Sequence, residues 1–133
     1  MINTYLAFAL LTLTLPVFGF NPSSIPRHQK NAPEQLEIEV TKIEEREVKE
    51  GDLKFVAMEV QATVRAVVES AAGIKEGQVI QVFWLIPQED QGIGGGWPAK
   101  IQQGRYRAYL RAEKQGGKRY VPAAYTGSFV AEQ

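Results

Sequence analysis

The chain has 133 residues, 44% of them hydrophobic and 23% charged, and its fifteen basic and fifteen acidic side chains cancel. That length suits one small domain with one core, and zero net charge supplies no global field favouring nucleic acid or an anionic membrane. There is no Cys, which excludes a disulfide framework, a thiolate metal site and a lipid-modified cysteine anchor.

Residues 1–19 read as a signal peptide. The opening MINTYLAFALLTLTLPVFGF carries no charged side chain. Leu6 to Phe18 is mostly apolar, Pro16 lies near its end, and Val17 and Gly19 stand where small residues precede a cut. The first residues lack Lys and Arg, so a short membrane anchor is the competing reading, but the run is shorter than the ~20 residues of a spanning helix. The expectation is an exported protein, periplasmic or secreted, with no stable membrane span after cleavage.

Residues 20–34 are predicted to be a linker. They include Pro22, Pro26 and Pro33 in polar company, which suits an extended lead-in. The only histidine, His28, falls here, where a linker offers it no oriented partner for metal or proton chemistry.

The domain is predicted over residues 35–133. In its acidic opening, Leu36, Ile38 and Val40 alternate with Glu37, Glu39 and Thr41. Leu36, Val40 and Ile43 also fit a helical stripe, but the alternation and the β-branched residues favour a strand. KEGD at Lys49 to Asp52 makes a turn. Leu53 to Ser70 then forms a long strand with Val56, Met58, Val60, Ala62, Val64 and Ala66 on one face, long enough to need a bend. Ala71 to Gly77 connects it to Gly77–Pro87, which is apolar on both faces and therefore reads as a covered central strand.

Gln88 to Gly96 is a loop. Its glycines lack the GK[ST] and following helix of a phosphate loop, and Glu89 and Asp90 lack the alternating oxygen ligands of a calcium loop. A further strand runs from Arg105 to Ala112 after Gly104, with Tyr106, Ala108, Leu110 and Ala112 on the buried face. Arg105, Arg107, Tyr109 and Arg111 take the wet face. Gly116 and Gly117 turn the chain into KRYVPAAY, a strand that Pro122 confines to an edge or ends.

No HExxH, GxSxG or Walker-type motif occurs. With one His, placed in a linker, and no Cys, Ser–His and Cys–His nucleophile systems are not expected. A carboxylate pair assembled from distant positions stays open, with no spacing to favour it. The expectation is a protein that is not an enzyme, with no catalytic residue, no metal ligands and no cofactor.

Four or five strands separated by turn signals, with no clear helix, predict an all-β fold. A small five-stranded OB-like barrel solves the edge problem at this size, and a β-sandwich is the runner-up. The chain resembles small exported bacterial proteins with an OB-like barrel, and is distantly similar to the netrin-like domain of tissue inhibitors of metalloproteinases. The resemblance spans roughly residues 53 to 129. It rests on Gly73 and Gly77, on Gly104 with Tyr106 and Leu110, and on Tyr120, Pro122, Ala123, Ala124, Ser128 and Phe129. It implies a fold and export more than an activity. The inhibitors' reactive edge depends on an N-terminal Cys and disulfides, which this chain lacks.

Two functional expectations follow. The first is an exported, non-catalytic binding module for an anionic polymer or surface, held by Arg105, Arg107, Tyr109 and Arg111 with Lys100, Lys114, Lys118 and Arg119 nearby. Export makes nucleic acid the least expected anion. Against this stands cancellation of the basic strand by the acidic Glu34–Asp52 segment through cross-strand pairs. The second is a protein-interaction or inhibitor module using Trp97, its loop, Phe83 and Leu85.

Overall fold

The computed structural model describes residues 21–88 and 96–132. The predicted leader and the loop positions from Glu89 to Gly95 lie outside the described residues. The all-β expectation is met by six strands: β1 (Glu34–Glu50), β2 (Leu53–Ser70), β3 (Val79–Pro87), β4 (Gly104–Ala112), β5 (Arg119–Pro122) and β6 (Phe129–Ala131). They form one sheet, in the order β1-β2-β3-β5-β4-β6, rather than the two sheets of a sandwich.

That sheet returns on itself. Residues 34–40 of β1 pair antiparallel with residues 110–104 of β4, so β1-β2-β3-β5-β4 is a ring. Among the described residues β3 and β5 are the one parallel pair, through Gln81–Arg119 and Val82–Tyr120. The far edge of β4 takes two partners in succession: β6 beside Tyr106–Ala108 and β5 beside Leu110–Ala112. Pro122 ends β5, as a residue without an N–H must. The turns obey backbone sterics too: Gly51 and Gly116 have φ of +59° and +77°, a region open to glycine without strain.

Alternation sets the interior. Leu36, Ile38 and Val40 of β1, Met58, Val60, Ala62 and Val64 of β2, Ile80, Val82 and Trp84 of β3, Ala108 and Leu110 of β4, and Tyr120 of β5 are buried together. Ile74 from the β2–β3 connection joins the same cluster. The predicted inward set of β2 stops at Val64. Register shifts leave Arg65 and Val68 as extra residues, so Ala66 stands opposite Glu37 and Val67 opposite Leu36. Such bulges bend a long strand and raise its twist, which is how an 18-residue β2 follows a small ring.

β1, β2 and β3 run on past the ring. There the opposite face is also covered: Phe55, Ala57, Phe83 and Leu85 are buried beneath partly buried Val48, Leu53 and Trp97. The two apolar faces of β3 thus fill two separate clusters, in agreement with a covered central strand.

The segment expected to be an extended linker is instead largely helical. A 3₁₀ turn at Pro22–Ser24 leads into α1 (Ile25–Asn31). Pro22 and Pro26 occupy first-turn positions, where the missing N–H has no helical partner to lose. The Asn21 side chain accepts the Ser23 N–H at 3.1 Å. Tertiary contacts hold α1 in place: Gln29 Nε2 donates to the Gly127 carbonyl at 2.9 Å, and the His28 ring meets Tyr125 edge-on at 5.0 Å. A seven-residue helix is too short to persist on its own, so these contacts and not local preference specify it.

Candidate functional site

β4 positions the predicted basic residues as its alternation requires. Arg105, Arg107, Tyr109 and Arg111 share the outward face over roughly 20 Å of strand. The neighbouring strands decide what each can do. Arg107 stands opposite Glu37, and its Nη2 reaches Glu37 Oε2 at 3.2 Å. Its Nε is buried without a hydrogen-bond partner, so much of this side chain is committed to packing. Arg105 lies opposite Glu39 of β1, and on its other side its carbonyl accepts the Glu132 N–H. Of the three arginines, Arg107 is thus bonded to a cross-strand acid, while the Glu39 opposite Arg105 bridges Arg65 of β2.

Arg111 differs. It is exposed, pairs across β5 with Val121, and has no ion-pair partner among the described residues. Tyr109, two positions back on the same face, is half-buried where β4 changes partner. Its N–H donates to the Ser128 carbonyl and its own carbonyl accepts the Ala123 N–H. The hairpin after β4 carries exposed Lys114 and Lys118. Its one acid, Glu113, is engaged by Arg119 Nε at 3.1 Å. The far end of β4 thus presents Arg111, Lys114 and Lys118 beside an aromatic ring, with Glu113, held by Arg119, as the acid that feels the Arg111 and Lys114 charges.

Trp97 belongs to a different place. It packs on the Phe55–Ala57–Phe83–Leu85 cluster, and Phe83 and Leu85 are only 2% and 3% exposed. The apolar anchors foreseen for a partner surface are thus buried within the chain. Lys100, foreseen as part of the basic strand's surroundings, instead bridges Glu45 of β1 at 2.8 Å.

Arg119 is also engaged within the chain. Its guanidinium lies 4.8 Å from the Phe83 ring centroid and bridges Glu113 and Glu59. Burial lowers the pKa of Arg119. Burial raises that of Glu113, against the opposing pull of Lys114 and Arg111. Desolvation thus weighs on both members of the pair, as it does wherever ions leave water.

Two buried polar groups escaped the sequence reading. Glu34 is 1% exposed and Ser128 is fully buried. The Glu34 carboxylate accepts the Ser70 hydroxyl and, at 3.0 Å, the Ala72 N–H, while Ser70 Oγ accepts the Ile74 N–H at 2.8 Å. Burial, and next the Glu34 charge, raise the pKa of Tyr120. A signal for Glu34 existed: it is in phase with Leu36, Ile38 and Val40, the inward set. Ser128 Oγ accepts the Ala124 N–H at 2.9 Å, closing a turn that no pattern in the sequence announces.

Among the described residues no group of three or more His, Asp or Glu side chains is placed to hold a metal ion, and no helix is long and apolar enough to cross a membrane. Compared with family models, curated proteins and solved structures, the chain has no match.

Proposed function

We propose that the protein is an exported, non-catalytic binding module on a five-stranded OB-like barrel, taking an anionic polymer or surface at the Arg111 end of β4. The barrel reading is supported by the ring order β1-β2-β3-β5-β4 and its parallel β3–β5 pair. Export is supported by the leader-like residues 1–19. The site reading rests on one contrast: Arg107 bridges Glu37, while Arg111, with Lys114 and Lys118 on the adjoining hairpin, makes no ion pair among the described residues.

An aromatic ring beside exposed cations suits repeated acidic groups along a chain better than a single small anion. The Trp97 reading is the weaker one, because Phe83 and Leu85 are covered.

The test is retention of the full chain on a sulfated, heparin-like matrix and on a neutral one across a salt gradient. Retention on the sulfated matrix alone, lost with salt, reduced by Arg111→Ala and Lys118→Ala and kept by Arg107→Ala, supports the site. Absence of retention, or equal retention of all three variants, overturns it.

A further inference from the structure

β2 outruns β3. The β2–β3 ladder ends at Thr63–Val79, and the last bonds on that side run between Val64 and the Gly77–Gln78 backbone. Beyond them β2 continues to Ser70, paired only with β1. From Arg65 to Glu69 the edge facing away from β1 has no strand beside it among the described residues. Among the described residues, three of the four exposed large apolar side chains lie here: Val67 is 38% and Val68 54% exposed, and Val79, at the start of β3, is 53% exposed; the fourth, Val130, is on β6.

Unpaired strand edges are templates for another strand, and the sequence of this one fits itself. In Arg65-Ala66-Val67-Val68-Glu69, a two-fold axis at Val67 places Arg65 opposite Glu69 of a second copy. The same axis places Ala66 opposite Val68 and Val67 opposite Val67. Both ends then carry opposite charges, and the middle is apolar. A two-fold contact must be self-complementary in this way. Glu69 has no ion-pair partner among the described residues, while Arg65 bridges Glu39 at 3.6 Å with its side chain 48% exposed. That bridge is long and open enough for Arg65 to serve a second carboxylate.

We propose that this edge is a homodimer interface, in which residues 65–69 of two copies pair antiparallel and join their sheets. Five residues are an ordinary strand length but a small contact, so the dimer forms at high concentration and dissociates on dilution. The bulge at Arg65 marks one end of the run and the bulge at Val68 bends the strand within it, which keeps the contact short. Because the dimer closes on itself, it carries two Arg111 ends per particle, without depending on what those ends bind.

The test is sedimentation of the full chain, expressed from its first residue and purified as it accumulates, over a wide concentration range. The expected result is a concentration-dependent doubling of mass. Val68→Lys abolishes the doubling, and so does Glu69→Arg, which sets Arg65 against an arginine twice in each dimer. Arg65→Glu combined with Glu69→Arg restores it. Circular dichroism of each variant checks that the fold is kept; Arg65, Val68 and Glu69 are all exposed. A mass that never doubles overturns the proposal. So does a dimer indifferent to both single substitutions, or one that the charge swap fails to rescue.

Discussion

The Glu34 carboxylate and the Ser70 hydroxyl meet at the first rung of the β1–β2 ladder, both turned into the ring. Together they fix the start of the β2–β3 connection, because Glu34 also takes the Ala72 N–H and Ser70 the Ile74 N–H. Glu34→Ala strands a hydroxyl and an N–H in a buried place, which costs about 2–3 kcal/mol. Glu34→Gln keeps one acceptor and costs less, about 1 kcal/mol. Urea unfolding of the two variants beside the parent checks the order.

Tyr120 makes stability fall on the alkaline side. Its pKa in the fold is raised above the ordinary 10.0, by burial first and by Glu34 second. The folded state therefore holds the phenolic proton more tightly than the unfolded chain. The contribution is fully present below the unfolded value and is lost as pH rises through the folded one. Tyr120→Phe is expected to flatten this alkaline decline. Thermal midpoints of parent and variant between neutral pH and about pH 11 provide the comparison.

Arg107 and Arg111 are expected to separate stability from binding. Arg107→Ala removes the bridge to Glu37, a partly exposed pair of the kind worth about 0.2–1 kcal/mol, and the packing of its stem. Arg111→Ala loses neither and leaves the unfolding midpoint unchanged. Denaturation curves read beside matrix retention should show opposite rankings for the two variants.

Trp97→Ala should act on the fold. It uncovers Phe83 and Leu85, and a half-buried indole on such a cluster is worth about 1–3 kcal/mol. The expected result is a lower unfolding midpoint with salt-dependent matrix retention intact; selective loss of binding at unchanged stability would return Trp97 to the site.

Gly127→Ala should loosen α1. A Cβ at this position runs into the Ile25 side chain and the Gln29 amide, the contacts that hold the helix against the Tyr125–Gly127 turn. Overpacking of this kind costs about 1–3 kcal/mol. Amide exchange should quicken in residues 25–31 before it does in β1 or β4.

The strands of the ring were readable because their apolar residues keep a period of two, from Leu36 to Val40, from Met58 to Val64 and from Tyr106 to Ala112. The breaks in that period were not. Ala66 fits the alternation by residue type, yet the bulge at Arg65 carries it to the Glu37 side; a bulge is decided by how a strand coils around its neighbours, which a linear pattern does not hold. α1 was hidden for a related reason, since its stability lies in Gly127 and Tyr125, and Gly127 is 98 residues along the chain from Gln29. For the candidate site, the outward face of β4 was legible from spacing alone. Which arginine on it is spent on an acid was not, because Glu37 reaches Arg107 only through the β1–β4 register.

The closure between β1 and β4 also sets an order of events in time. β1 and β2 are joined by a tight turn and can zip from Gly51 outward, a local step of the microsecond class. Their ring cannot shut until β4, made from the other half of the chain, arrives beside residues 34–40. Contacts so distant in sequence make folding slow. Until then the apolar side of the hairpin stays wet, and the rate of β4 docking governs how long the chain is open to aggregation.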